Sequence, residues 1–392
     1  MPLDDMDGLS LAYTPGVAEP CREIHSHPET VFTYTNRGNQ VAILTDGSAV
    51  LGLGDIGPEA SLPVMEGKAA LFKRFGGVDA FPILVGSQDP DDICRVMELI
   101  EPGFGGVNIE DIAAPRCFVV ERRLKRSLTV PVFNDDQHGT AIVVGAAFMN
   151  AIQVANREAG SVRVVINGAG AAGIAVARML LDLGVADLSL VDRHGLIWAG
   201  RADLNEEKEE IAQHTNLERR KGDLTQALKG ADVVIGLSVA GALTMEMLSG
   251  MRPDGVVFAL ANPVPEIWPV QALEVGAMVV GTGRSDFPNQ INNVLGFPGV
   301  FRGSLDVRAK EISTGMHRAA SLAIASLVGD ELRADYIIPS PLDPRVAPAV
   351  AEAVARTALD EGLATVTDLD PKEIGRRLSE ETAGPRERGA LN

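Results

Sequence analysis

Two pairs of adjacent acids are the first residues with chemical potential: Glu110-Asp111 and Asp135-Asp136. The first pair directly follows the apolar run GGVNI; the second follows VPVF and Asn134. Short apolar runs of this kind read as buried strands, so both pairs fall at strand ends. Carboxylates gathered at neighbouring strand ends repel one another unless a cation sits between them. An oxygen-only ligand set suits Mg²⁺ or Mn²⁺, and no His or Cys spacing competes for a softer metal. Acids are also favoured in the first turn of a helix. One pair alone would read as capping; for two pairs both readings stand.

A second chemistry is written at Gly168-Ala169-Gly170-Ala171-Ala172-Gly173. This turn follows the apolar run RVVIN and opens the helical pattern IAVARMLLDLG. Glycines at this spacing allow a tight turn, close approach to a pyrophosphate, and close helix–strand packing. The helix N-terminus then offers free N–H groups to phosphates. Asp192 ends the second strand of this unit, where an acid holds the ribose hydroxyls of a dinucleotide. Its carboxylate would repel a 2′-phosphate and so favours NAD over NADP, although Arg193 beside it softens that rejection. Ser238, Asn262 and the loop Gly281–Asp286 each follow a further strand and fall on the same ligand-binding edge.

Other residues are ambiguous by themselves. Lys68 lies in an apolar helical stretch, where a lysine is either a desolvated base or a stem that snorkels to solvent. Tyr13, within LAYTPGVA, is a tyrosine at a turn. His25, His27 and His138 are not spaced as ligands and read as structural or exposed. The acidic stretch Asn205–Glu210 reads as a solvated helix face.

The elements that must position these groups alternate. Apolar runs at 41–45, 80–85, 105–109 and 130–133 are separated by helical patterns. Asp89-Pro90 reads as an N-cap followed by proline in the first turn. A helical stretch over 137–157 precedes a second alternating series with strands at 163–167, 187–191, 231–237, 256–261 and 277–280. Such alternation predicts an α/β protein with largely parallel sheets. A length of 392 residues suggests two domains, divided here as 1–156 and 157–392, with a loose last helix and a frayed tail from about 367.

Composition narrows the class. With 53 acidic residues against 35 Lys plus Arg, the formal charge is −18, which argues against a nucleic-acid partner. Three cysteines without CxxC spacing read as reduced thiols. No run is long and apolar enough for a membrane span, and the first residues are acidic where a leader would be basic. The expectation is a cytoplasmic chain with no membrane or nucleic-acid partner.

Taken in order along nearly the whole chain, these segments resemble the malic enzymes in their short bacterial form. The similarity is carried by YTPGVAEPC at 13–21, TDGSAVLGLGDIGPEASLPVMEGKAALFKRF at 45–75 and NIEDI at 108–112. It continues with PVFNDDQHGTA at 131–141, GAGAAG at 168–173, LANPVPEI at 260–267, GRSDFPNQINNVLGFPG at 283–299 and IIPSPLDPRVAP at 337–348. The resemblance implies an N-terminal substrate and metal domain and a Rossmann-type, doubly wound NAD(P)-binding domain with C-terminal helices. It implies oxidative decarboxylation of L-malate to pyruvate and CO₂, with NAD or NADP reduced and Mg²⁺ or Mn²⁺ required.

By the same resemblance Tyr13 matches the general acid, Lys68 the general base, and Asp135 the acid beside the lysine. Glu110, Asp111 and Asp136 match the metal ligands. Asn262, Asn292 and Asn293 match asparagines at the substrate and nicotinamide end. Larger members carry an arginine where this chain has Ala49, so the second malate carboxylate must find another partner. Only 12 residues precede Tyr13, which implies a shortened N-terminal segment. A homodimer or dimer of dimers is expected. Two alternatives share the motifs: a malolactic-type lyase releasing lactate, and a nucleotide-sensing binding protein on a disabled scaffold.

Overall fold

The computed structural model describes residues 4–382. Its first sheet contains β1 (Gln40–Thr45), β2 (Asp79–Leu84), β3 (Gly106–Ile109) and β4 (Val132–Asn134) in the spatial order β2-β1-β3-β4, all parallel. The second contains β5 (Arg163–Asn167), β6 (Asp187–Asp192), β7 (Gly195–Leu196), β8 (Val233–Gly236), β9 (Val256–Ala259) and β10 (Val279–Thr282). Their order is β10-β9-β8-β5-β6-β7, parallel except for β7. Helices on the sheet faces bury the strands, which is why β1 and β8 are near-continuous apolar runs without alternation.

In each sheet the chain builds outward on one side of its first strand and then crosses to the other. These switch points lie between β1 and β3 and between β5 and β8. Crevices open at the carboxyl ends of strands at such points. The expected strands are present with shifts of up to two residues at their ends, and Asp89 caps the helix Pro90–Ile100 through its side chain as read.

The helical stretch expected over 137–157 divides in two. Asp135–Gly139 is one wide turn, closed by the N–H of Thr140 on the carbonyl of Asp135 five residues back. A helix then runs from Thr140 to Val154 and is buried almost all round. Wide turns of this type concentrate at functional sites. The final helix, Pro371–Thr382, is not loose. Pro371, Ile374 and Leu378 are buried against the preceding helix, Val346–Asp360. The expected frayed tail beyond it lies outside the described residues.

The two halves are joined by an aromatic contact. Phe72, on the helix Pro58–Gly76 between β1 and β2, lies 4.7 Å from the ring of Phe297 and 5.2 Å from that of Phe301. The latter two belong to the helix Phe297–Asp306 that follows the second sheet. Phe72 is fully buried, so Phe72→Ala is expected to cost roughly 3–5 kcal/mol. A lower urea midpoint would register that loss; an unchanged midpoint would remove Phe72 as a joint between the halves.

Candidate active site

The acid pairs converge. Glu110 and Asp111 leave β3, and Asp135 and Asp136 leave β4, its hydrogen-bonded neighbour. Carboxylate oxygens of Glu110, Asp111 and Asp136 lie within 4.8 Å of one another. Asp135 and Asp136 lie at the start of the wide turn, which Asn134 caps by accepting from the N–H of Gln137, whereas Glu110 and Asp111 lie outside the first turn of the helix after β3, which Pro115 precedes. Asp111 is held at φ 55°, a conformation costing a non-glycine residue about 1–3 kcal/mol. Its N–H donates to Asp136 Oδ2 at 2.8 Å, while its own Oδ2 is buried without a partner. A buried carboxylate oxygen left unpartnered is costly unless a cation takes it, and an all-oxygen set fits Mg²⁺ or Mn²⁺.

Lys68 reaches this cluster from its helix. Its Nζ donates to Glu110 at 2.9 Å and also bonds Asp135, with the Phe297 ring 4.2 Å beneath it. Desolvation pulls the ammonium pKa down, but the charges of Asp135 and Glu110 outweigh it and hold the pKa above its ordinary value. Burial pushes the carboxyls the other way, with like-charged neighbours adding to it. Asp136 stands well above the usual range, Glu110 is raised, and Asp111 is pushed up to about 7.

The wide turn sets Asp135. A Cβ on Gly139 would sit 1.8 Å from Asp135 Oδ1, so only glycine leaves room for that carboxylate. Asn293 Nδ2 donates to Asp135 at 3.2 Å and to Thr140 at the same distance, which brings the second half of the chain into the cluster. Asn292 instead caps the short turn Asn293–Leu295 through the N–H of Val294. Ala49 adjoins the cluster, its N–H donating to the carbonyl of Asp111 at 2.9 Å. Tyr13 is apart: it is 69% exposed, and its hydroxyl makes no hydrogen bond among the described residues.

The nucleotide turn lies at the switch point of the second sheet. A Cβ on Gly168 would meet the carbonyl of Leu237 at 2.2 Å, and one on Gly173 the carbonyl of Gly168 at 1.9 Å. Gly170 faces open space, where a pyrophosphate would approach the N-terminus of the helix Ala171–Asp182. Ala169 is buried, while Ala171 and Ala172 form the first turn of that helix. Ser238 accepts from Asn167 Nδ2 at 2.8 Å, tying the ends of β8 and β5. Asn262, beyond β9, touches the first half, since a Cβ on Gly52 would meet its carbonyl at 2.7 Å. The two ligand-binding edges therefore face one another.

Similarity to known proteins settles the family. The family model for the malic enzyme N-terminal domain matches residues 2–125, and that for the malic enzyme NAD binding domain matches 137–359. A bifunctional malic/malolactic enzyme of Bacillus subtilis is 58% identical over 94% of this chain and 90% of its own. An NAD-dependent malic enzyme of Geobacillus stearothermophilus is 50% identical over 93% of this chain and 76% of its own. The crystal structure of malic enzyme from Pyrococcus horikoshii aligns with a TM-score of 0.93 at 46% identity, covering 97% of this chain and 90% of the other. The chain belongs to the malic enzyme family. It is an NAD(P)-dependent, decarboxylating oxidoreductase with two α/β domains of the malic enzyme type.

For a malic enzyme, two features escape sequence reasoning. Glu266, fully buried, accepts from the N–H of Ser238 and of Ala261, both at 2.9 Å, and so stitches the ends of β8 and β9 together. Asp192 is not a free acid: Arg201 and Lys208 both bond its carboxylate and lower its pKa below the ordinary range, against the opposing effect of desolvation. Matching by two cations weakens the repulsion that favoured NAD. It also revises the solvated-face reading of 205–210, because Lys208 serves Asp192 and Glu207 is buried against Arg122 and Arg178.

Asp111, raised from 3.8 to about 7, retains a proton that the unfolded chain releases across that window. Its raised pKa therefore makes stability fall as pH climbs from about 4 to about 7 without a cation. Divalent binding requires the ionised carboxylates. The thermal midpoint gained on adding Mn²⁺ is expected to grow between about pH 5 and pH 8. A gain independent of pH, or retained in Asp111→Asn, would exclude Asp111 as a ligand.

Proposed function

We propose that the cluster of Lys68, Glu110, Asp111, Asp135 and Asp136 oxidises and decarboxylates L-malate to pyruvate and CO₂. The observation that carries this reading is a buried lysine bonded to two acids of a three-carboxylate cation site. Glu110, Asp111 and Asp136 would hold Mg²⁺ or Mn²⁺, which when bound supplies Lewis-acid polarisation of the malate C2 oxygen. NAD or NADP, both represented in the names of relatives, supplies the hydride acceptor when bound against Gly168–Gly173.

Lys68, once it has lost its ammonium proton and stands as the neutral amine, takes the malate hydroxyl proton. With Glu110 committed to a cation, Lys68 keeps Asp135 as its remaining counter-charge, which lowers its hold on the ammonium proton. Asp135 orients Lys68 and is itself fixed by Asn293. Asn262, at the meeting of the two edges, orients substrate and nicotinamide, with Asn292 holding the turn that carries Asn293. Tyr13 is assigned the return of a proton to C3; family resemblance supports that role, and no contact with Lys68 does.

The division at 156/157 belongs to the same reading and is supported by one sheet ending before it and the other beginning after it. A homodimer or dimer of dimers is supported by the exposed Met6, Leu9 and Leu11 near Tyr13. A cytoplasmic location is supported by three free cysteines; no described helix is long and apolar enough to cross a membrane. Malolactic conversion is a second reading, favoured by the similarity to the bifunctional malic/malolactic enzyme of Bacillus subtilis.

Incubation with L-malate, Mn²⁺ and either dinucleotide is expected to yield pyruvate in step with reduced cofactor. Lactate without net reduction would move the assignment to the lyase. Lys68→Ala should lower kcat by about 10²–10⁴-fold with the fold intact. Near-native turnover in that variant would eliminate Lys68 as the base. Tyr13→Phe should suppress tritium exchange into pyruvate more than hydride transfer, and exchange that survives would exclude Tyr13.

A further inference from the structure

A cavity of about 560 Å³ lies against the wide turn, lined by its Gln137 and His138. Its walls come from the helix Arg116–Ser127, the turn Asp135–Gly139 and the helices Ala171–Asp182 and Thr314–Ser326. Neither the nucleotide glycines nor Lys68, Glu110, Asp111 or Asp136 line it. Its volume is that of a small-molecule site. Apolar surface is contributed by Phe118, Ala175 and Met179.

Most polar groups facing it pair with one another, and one buried group does not. His317 is 6% exposed and lines the cavity, yet its Nε2 has no hydrogen-bond partner. The ring stacks on His138 at 4.5 Å, with 22° between the planes. Desolvation holds its pKa well below the usual imidazole range, so the ring is neutral and offers one donor and one acceptor. At the mouth, Arg122 and Arg178 grip the buried Glu207 while remaining 43% and 42% exposed. A guanidinium has five donors, so these contacts leave further N–H groups to face an incoming anion. Glu121, Asp182, Glu207 and Glu210 also line it, and each is matched by a cation: Lys125, Arg318, Arg122 and Arg178 respectively.

The cavity also touches the chemistry at one remove. Glu121 accepts from Gln137 Nε2 at 2.9 Å and bonds His138 Nε2 at 2.5 Å. Those two side chains belong to the turn that carries Asp135 and Asp136. We propose that this cavity binds an organic anion, an apolar body ending in a carboxylate or phosphate, and that its occupancy changes cation affinity at Glu110, Asp111 and Asp136. The second half rests on the proposed cation site.

Calorimetry on the full chain tests it, with NAD at saturation to block the nucleotide crevice. The probes are 1-naphthoate and 1-naphthyl phosphate, with 1-naphthol as the uncharged control. At least one anion should bind and the control should not; which anion binds more tightly distinguishes carboxylate from phosphate. Ala175→Phe, which fills the cavity, and Arg178→Gln, at its half-exposed mouth, should each weaken binding about tenfold or more, or about 1.4 kcal/mol. Mn²⁺ affinity, followed by electron paramagnetic resonance, should shift with the probe and be unaffected by it in Ala175→Phe. Absence of binding by both anions, undiminished binding in both variants, or an unshifted Mn²⁺ affinity would overturn the proposal. These readouts need no turnover, so their failure leaves the malate reading standing, whereas absence of any Mn²⁺ binding overturns both.

Discussion

The constraint on which the site depends is the burial of four carboxylates with a single ammonium. Glu110, Asp111, Asp135 and Asp136 share one strand-end cleft with Lys68, and three of them have oxygens within 4.8 Å of one another. Two like charges about 4 Å apart repel by roughly 4 kcal/mol at an effective dielectric constant near 20. Lys68 offsets part of this through Glu110 and Asp135, but among the described residues Asp111 and Asp136 form no ion pair of their own. The polypeptide relieves the excess by holding protons, as the raised pKa values of Asp111 and Asp136 express. A divalent cation would relieve it without protons. The charge balance of the cluster and its stability thus turn on the same four carboxylates.

The remaining architecture keeps those groups from escaping that repulsion. Strand ends fix the backbone at Glu110 and at Asn134, and the wide turn fixes Asp135, with Gly139 leaving space for its carboxylate. From the second half, Asn293 clamps Asp135 and Phe297 closes the underside of Lys68. The same half carries the nucleotide turn at its own switch point. Each sheet uses its carboxyl edge, the first for the carboxylate cluster and the second for the nucleotide turn.

Much of this was legible in the sequence because it is local. Strand runs, the glycine turn and the acid pairs are contiguous, and strand-end logic alone brings Glu110-Asp111 beside Asp135-Asp136. What was not legible depends on long-range pairing. Asp192 looked like a free ribose ligand, but Arg201 and Lys208, from later segments, match its charge. Glu207 sat in a run of acids that pattern alone reads as solvated, yet Arg122 and Arg178 from two other helices bury it. Glu266 carries no local signal for its work, because its partners are backbone N–H groups at two strand ends. The last helix looked too charged to dock, and its few apolar positions sufficed once the helix Val346–Asp360 offered a face.

Lys68 shows why neither half could hold this site alone. Its helix belongs to the first sheet, but the packing that fixes the height of that helix comes from the second half, through Phe72 on Phe297 and Phe301. Gly76 lies so close to the Pro298 carbonyl that a Cβ would meet it at 2.9 Å, so the helices approach backbone to backbone. That approach places the Phe297 ring 4.2 Å from Nζ, excluding water on one side and adding a cation–π attraction. Without the ring, water would solvate the ammonium, and its bonds to Glu110 and Asp135 would weaken in the higher dielectric. The basicity of the lysine is therefore a property of the joint between the two halves as much as of the acids it touches.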